Sequence, residues 1–282
     1  MLREDFFHQY VRQVFPDGKG LFAMIQTFCD ETSNADVYCV GGYLFKPERA
    51  TEFQDTWEKR MLPLRAKGIE FFHASPCAAG KTVSNREAFA NLSEPERMAL
   101  FRDLIDLIHG TAEFGYVAEL KHDEYHAWIK QNPSISGYIG SQYSVACFYC
   151  LSGFKAWISK AGHQDGVDYE FEAGDKKFMD EAGALMSKIA SNPALREAYR
   201  YERHGFGFKG LMRQLEAADL LLWAYQKLEA DHRRYGECVR VSRGLFRNSP
   251  VPHHVAVLSE FSITFQSLFN SEHGLASRQI QL

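Results

Sequence analysis

Acidic side chains and one imidazole occupy positions suited to chemistry on phosphate esters or metal ions. Asp30 and Glu31 are adjacent where the apolar segment Leu21 to Asp30 (LFAMIQTFCD) gives way to polar residues. Two neighbouring carboxylates repel unless they are exposed or bridged by a cation, and strand ends in α/β sheets are common ligand sites. An acidic turn after a strand is the other reading of this pair. Asp219 lies inside LEAADLLLWAYQK, surrounded by Leu215, Ala218, Leu220, Leu221, Leu222 and Trp223. A carboxylate on so apolar a helix must find hydrogen bonds, a cation or a proton. It can equally be a buried Asp that caps a neighbouring loop. Glu216, three residues earlier, sits on an adjoining helical face.

Glu170 and Glu172 in YEFEAG are two apart, so an extended strand points both to one face. Glu172, nearer the strand end, is the better candidate, although a solvent-facing acid is an ordinary strand residue. His73 follows Phe71-Phe72 and precedes a polar segment; a hydrogen-bonded structural histidine is the competing reading. Other patterns lack their context. Gly205-Phe-Gly207-Phe-Lys-Gly210 fits GxGxxG without a surrounding βαβ unit and reads as a flexible loop. Cys147-Phe-Tyr-Cys150 has no second pair and lies on an apolar helix, against a zinc site. His122 and His126 match neither HExxH nor HxxEH. Arg233, Arg234, Arg240, Arg243 and Arg247 outnumber Asp231 and Glu237 in a locally basic stretch that suits a phosphate backbone or a solvated face.

These candidates must be positioned by an alternation of strands and helices. Leu21–Asp30 is apolar on both faces, with Phe22, Met24 and Phe28 on one and Leu21, Ala23, Ile25 and Cys29 on the other, as in a covered central strand. Glu31 to Asp36 makes a turn, and Val37 to Phe45 returns as a hairpin partner. A helix follows over 47–65, a short strand over Ile69 to His73 and a loop over 74–92. Ser93-Glu-Pro-Glu96 is a capping box that opens a helix carrying Phe101, Leu104, Ile105 and Ile108. Phe114 to Leu120 and Val167 to Ala173 read as strands. Helices are expected over 139–159, 176–190, 211–233 and 255–269. The fold class is α/β with a mixed central sheet flanked by helices. The initial hairpin argues against a purely parallel sheet.

The 282 residues show no internal repeat or Pro/Gly/Ser-rich linker, and read as one elaborated domain (1–282) with a core over roughly 21–233 and a C-terminal helical extension over 234–282. The 36 acidic residues against 32 basic ones give a net charge of −4 and a pI near 6.3, which disfavours passive coating of nucleic acid. A small acidic site that acts on nucleic acid remains compatible. No apolar run reaches the roughly 20 residues needed to span a bilayer, so no membrane association is expected. The first residues lack a basic start and an apolar core, and the six dispersed cysteines read as reduced thiols; both point to a cytoplasmic protein.

Phe28-Cys-Asp30-Glu31-Thr32, Val40-Gly-Gly-Tyr-Leu44, Phe72-His73-Ala-Ser and Leu215-Glu-Ala-Ala-Asp219-Leu-Leu occur in this order. Together they resemble the domain of unknown function 3800 family, over roughly Thr27 to Gln226. In that family Asp-Glu-Ser is usual where this chain has Asp30-Glu31-Thr32, and Gln where it has Glu216. A later-strand position that is commonly Asp is matched here by Glu172. The resemblance implies a ribonuclease H-like fold, with inserted and C-terminal helices, and a nuclease site built from a central strand, a second strand and a late helix. By that resemblance Asp30 and Asp219 are the principal ligands of Mg²⁺ or Mn²⁺, with Glu172 third and Glu31 or Glu216 auxiliary. His73 then positions phosphate, shuttles a proton or ligates Mn²⁺. The expected function is metal-dependent phosphodiester hydrolysis. The alternatives are a non-catalytic module that binds a protein, a second copy or nucleic acid, and hydrolysis of a small phosphoester.

Overall fold

Strand β1 (Ile25–Ser33) buries Phe28 on one face and Ile25 and Cys29 on the other, and it lies inside the sheet with a partner on each side. The computed structural model describes residues 24–131, 141–235, 245–246, 249–258 and 278–279. Strand β2 (Val37–Phe45) pairs antiparallel to β1, with Asp30 opposite Gly41 and Cys29 opposite Gly42. Gly42 is required by a close approach: a Cβ there would lie 1.8 Å from the Phe28 carbonyl oxygen. The strand β3 (Phe114–Lys121) continues the antiparallel meander, while β4 (Val167–Glu172) and β5 (Tyr201–Gly207) add in parallel on the other side of β1. With β6 (His253–Leu258) and β7 (Arg278–Gln279) the order is β5-β4-β1-β2-β3-β6-β7, a mixed sheet within an α/β fold.

The twofold alternation of strand side chains divides the interior into two cores. Phe28, Val37, Cys39, Tyr43 and Phe45 face helices α1 (Pro47–Met61), α3 (Glu94–Thr111) and α8 (Arg213–Tyr235). Between α1 and α3 lies the short helix α2 (Ala74–Ala79). Cys29, Tyr38, Val40 and Leu44 face α5 (Gln142–Lys160) and α6 (Lys176–Ser191). Helices α4 (His122–Gln131) and α7 (Pro193–Ala198) complete the described set. Ser93 and Glu96 form the expected capping box of α3.

Several expectations are corrected. The first strand runs on to Ser33, so Asp30 and Glu31 lie within it, and the turn contracts to Asn34–Asp36. Residues 21–23 of the expected strand lie outside the described residues. The segment Ile69–His73 is no sheet strand: only Ile69 makes a bridge, to Glu87, while the Phe72 ring fills the core and its N–H goes to a side chain. The expected loop after it carries α2 and a 3₁₀ turn, Phe89–Asn91. Gly205-Phe-Gly207 belongs to β5, because parallel pairing with β4 outweighs the flexibility of its glycines. The segment assigned to a helix from Val255 begins instead as β6, paired parallel to β3 from Gly115↔His253 to Leu120↔Leu258. The helical reading of 234–282 therefore fails at β6, which extends the core sheet; residues 259–270 lie outside the described residues. Arg240, Arg243 and Arg247 of the basic stretch, and Cys238, also lie outside them.

Cys29, Cys39, Cys77, Cys147 and Cys150 are free and buried. Among the described residues no helix is long and apolar enough to cross a membrane.

Candidate metal centre

The site forms where β4 stops. Pairing between β1 and β4 ends at Cys29↔Phe171, so Asp30 of β1 and Glu172 of β4 emerge side by side beyond the last paired residues. Asp30 is buried, and its Oδ1 accepts the Glu31 N–H at 2.8 Å. One carboxylate oxygen from each of Asp30, Glu31 and Glu172 lies within 4.8 Å of the other two. Asp219, on the first half of α8, enters from the helical layer above. Its Oδ2 accepts the Ala74 N–H at 2.7 Å, at the start of α2.

A cation already lies among these acids. The Nζ of Lys209 is 2.8 Å from Asp30 Oδ2, 2.9 Å from Glu172 Oε2 and 3.3 Å from Asp219 Oδ1. Carboxylates that share one nitrogen at such distances are close enough to share an ion. Lys209 belongs to the turn between β5 and α8, the stretch that reads as a flexible GxGxxG loop in the sequence. Its signal was a lone lysine between Gly207 and Gly210, ten residues before the Asp of an apolar helix. Gly210 takes φ +87°, which lets the chain turn sharply into α8.

Four carboxylates (Asp30, Glu31, Glu172 and Asp219) against one ammonium leave a formal excess of three negative charges when all are ionised. The cluster responds by holding protons. Burial pushes Asp30 well above its usual carboxyl value, against the pull of Lys209. Burial, reinforced by the Glu172 charge, pushes Glu31 up to about 7. Burial also acts upward on Glu172, but a hydrogen bond from Asp30 and the Lys209 charge together hold it below its ordinary value. The two carboxyls are therefore displaced in opposite directions, Asp30 upward and Glu172 downward. Burial opposes the Lys209 charge, but Asp30, Asp219 and Glu172 outweigh it and keep the ammonium protonated.

His73 caps α2 beside this cluster. Its Nε2 is 3.6 Å from Asp219 Oδ1, and its Nδ1 is 2.9 Å from Glu87 Oε1. Glu87 is buried and also accepts from Ser84 Oγ at 3.2 Å, so the ring is held on its far side. Sequence reasoning missed Glu87, whose approach depends on the Ile69↔Glu87 bridge.

The structure thus brings together Asp30, Glu31, Glu172, Asp219 and His73, and separates Glu216 from them. Glu216 Oε2 accepts Trp57 Nε1–H at 2.7 Å and Phe72 N–H at 2.8 Å. Its Oε1 accepts Gly210 N–H at 2.9 Å and pairs with the buried Arg213 guanidinium. Burial pushes its pKa up while Arg213 pulls it back. With both oxygens committed, Glu216 is not the auxiliary ligand that the resemblance implied. It ties together the residues just before His73 and just after Lys209. Glu170 also stays outside the cluster; burial pushes it up to about 7 despite the Arg203 charge.

No protein-family model, curated protein or solved structure matches the chain.

Proposed function

We propose that the protein is a divalent-cation-dependent phosphodiesterase acting on nucleic acid, with a ribonuclease H-like arrangement and the domain of unknown function 3800 family as its kin. One observation carries the reading: a central strand, its parallel neighbour and a late helix deliver Asp30, Glu172 and Asp219 to a single cation, the Lys209 ammonium. The donor set fits Mg²⁺ or Mn²⁺, because Asp30, Glu31 and Glu172 offer hard oxygens in a cluster that carries excess negative charge. A divalent ion held by these oxygens supplies Lewis-acid neutralisation of a phosphodiester's charge.

The chain's own groups do the rest. Glu87 holds His73 Nδ1 on the side away from the cluster, which leaves Nε2 to give or take a proton on the side of Asp219. Asp219, anchored by the Ala74 N–H, holds the outer flank of the site and keeps Lys209 seated. Phe208 is exposed next to Lys209 in the chain and presents a ring on which a base can stack.

The occupied cation position also favours a second reading, a non-catalytic module in which Lys209 permanently neutralises the acids. Single-stranded and duplex DNA, RNA and hybrids incubated with Mg²⁺ or Mn²⁺ separate the two. The proposal expects cleavage that disappears in an Asp30→Ala, Asp219→Ala double variant. Intact substrates in every combination, or cleavage that survives the double substitution, would overturn it.

A further inference from the structure

We propose that the ammonium of Lys209 fills the place of a second cation, so that the acidic cluster takes one divalent ion, at Asp30, Glu31 and Glu172. This rests on the cation-dependent reading above and concerns how many ions the site admits. Two-ion phosphodiesterases hold their ions about 4 Å apart between shared carboxylates. Here the carboxylates fall into two sets. Asp30, Glu31 and Glu172 offer oxygens close enough to surround one ion. Asp219 faces Asp30 and Glu172 across Lys209, with Nζ lying between them. The gap that a second ion would enter is the gap the ammonium occupies.

The lysine is built to stay there. Its side chain is only 12% exposed, and it makes three charge-assisted contacts that release into water would forfeit. The turn that carries it is clamped at both ends. Ala173 N–H donates to the Gly207 carbonyl at 2.6 Å, and Gly210 N–H donates to Glu216 Oε1 at 2.9 Å. Within the turn, the Leu211 and Met212 N–H groups both donate to the Phe208 carbonyl at 3.0 Å. Charge points the same way. Lys209 cancels one of four carboxylate charges, and a single divalent ion cancels two more. A second divalent ion beside a seated ammonium would reverse the sign of the site. The fixed ammonium thus supplies positive charge on the Asp219 side whatever the free metal concentration.

Mn²⁺ stoichiometry, read by calorimetry and by the loss of the free-ion paramagnetic resonance signal, tests this without relying on activity. The wild-type protein is expected to bind one Mn²⁺, and Lys209→Met two. Two ions in the wild type, or one in both proteins, would overturn the proposal and leave cation dependence standing. No ion in either would overturn both. A step from one to two ions in a protein that cleaves nothing would keep the proposal and remove the nuclease reading. Should Lys209→Met fail to fold, acylation of the wild-type lysines followed by mass spectrometry gives an independent answer. Lys209 is expected to stay protected at saturating Mn²⁺; a rise of tenfold or more in its labelling would show that the ion expels it, contrary to the proposal.

Discussion

Substitution of Glu216 by glutamine replaces one carboxylate oxygen by NH₂ at the junction of three segments. The carboxylate is fully buried and accepts from Trp57 Nε1, Phe72 N, Gly210 N and Arg213. Glutamine keeps one acceptor oxygen and turns an NH₂ group toward the two donors that had shared the other. Each buried donor left without an acceptor costs about 1–3 kcal/mol, so the variant should lose about 2–6 kcal/mol. Arg213 keeps its bonds to Glu58 and the Glu70 carbonyl, so an NH₂ turned toward Gly210 and Arg213 places the loss at the lower end of that range. For a domain of this size the loss corresponds to roughly 5–20 °C in melting temperature. Urea unfolding with an unchanged m-value is the assay. Mn²⁺ affinity of the folded variant should stay within about threefold of wild type, because neither Glu216 oxygen faces the cluster. A destabilisation below about 1 kcal/mol, or a loss of Mn²⁺ binding as large as that of Asp30→Asn, would contradict this role of Glu216.

Two further outcomes follow from the fold. Gly42→Ala places a methyl group 1.8 Å from the Phe28 backbone oxygen, where no flexible side chain can yield. A loss above about 4 kcal/mol is expected, seen as insoluble protein or a collapsed urea midpoint; near-wild-type stability would contradict the β1–β2 spacing. His253 is buried against Tyr43, with Nε2 3.0 Å from the phenol oxygen, and burial aided by His109 pushes its pKa down to about 3. The unfolded chain takes up a proton there below about 6.5. His253 therefore contributes stability that is complete above that pH and is lost as pH falls toward about 3. Glu31 and Glu170, both raised to about 7, act in the opposite sense, stabilising below about 4.5 and losing that contribution as pH rises through 7. The difference between wild type and His253→Gln isolates the histidine: it should shrink steadily from pH 6.5 to pH 4, and a pH-independent difference would count against the assignment.

The acidic site was largely legible because its members break local rules. Asp30 and Asp219 are charged residues on otherwise apolar buried elements, and such residues need a partner wherever they occur. Glu172 was legible as the strand residue nearest an end. The ligand role that the resemblance implied for Glu216 fails, because three residues along α8 turn its side chain from the sheet's carboxylates toward Trp57 and Phe72. Lys209 was hidden by its setting, since Gly207 and Gly210 look like a flexible loop until β5 pairs with β4 and fixes the turn. Glu87 reaches His73 through a single long-range bridge that no local pattern announces. The error at β6 has the same origin. A short apolar run such as His253–Leu258 fits strand or helix, and only the free edge of β3 decides between them.

The central claim is that Asp30, Glu31 and Glu172 form a divalent-cation site, and a Mn²⁺-soaked crystal tests it most directly. One anomalous peak is expected, bounded by oxygens of these three residues, with Lys209 still seated against Asp219. A map with no peak there, or with manganese only at surface carboxylates far from Asp30, would contradict it.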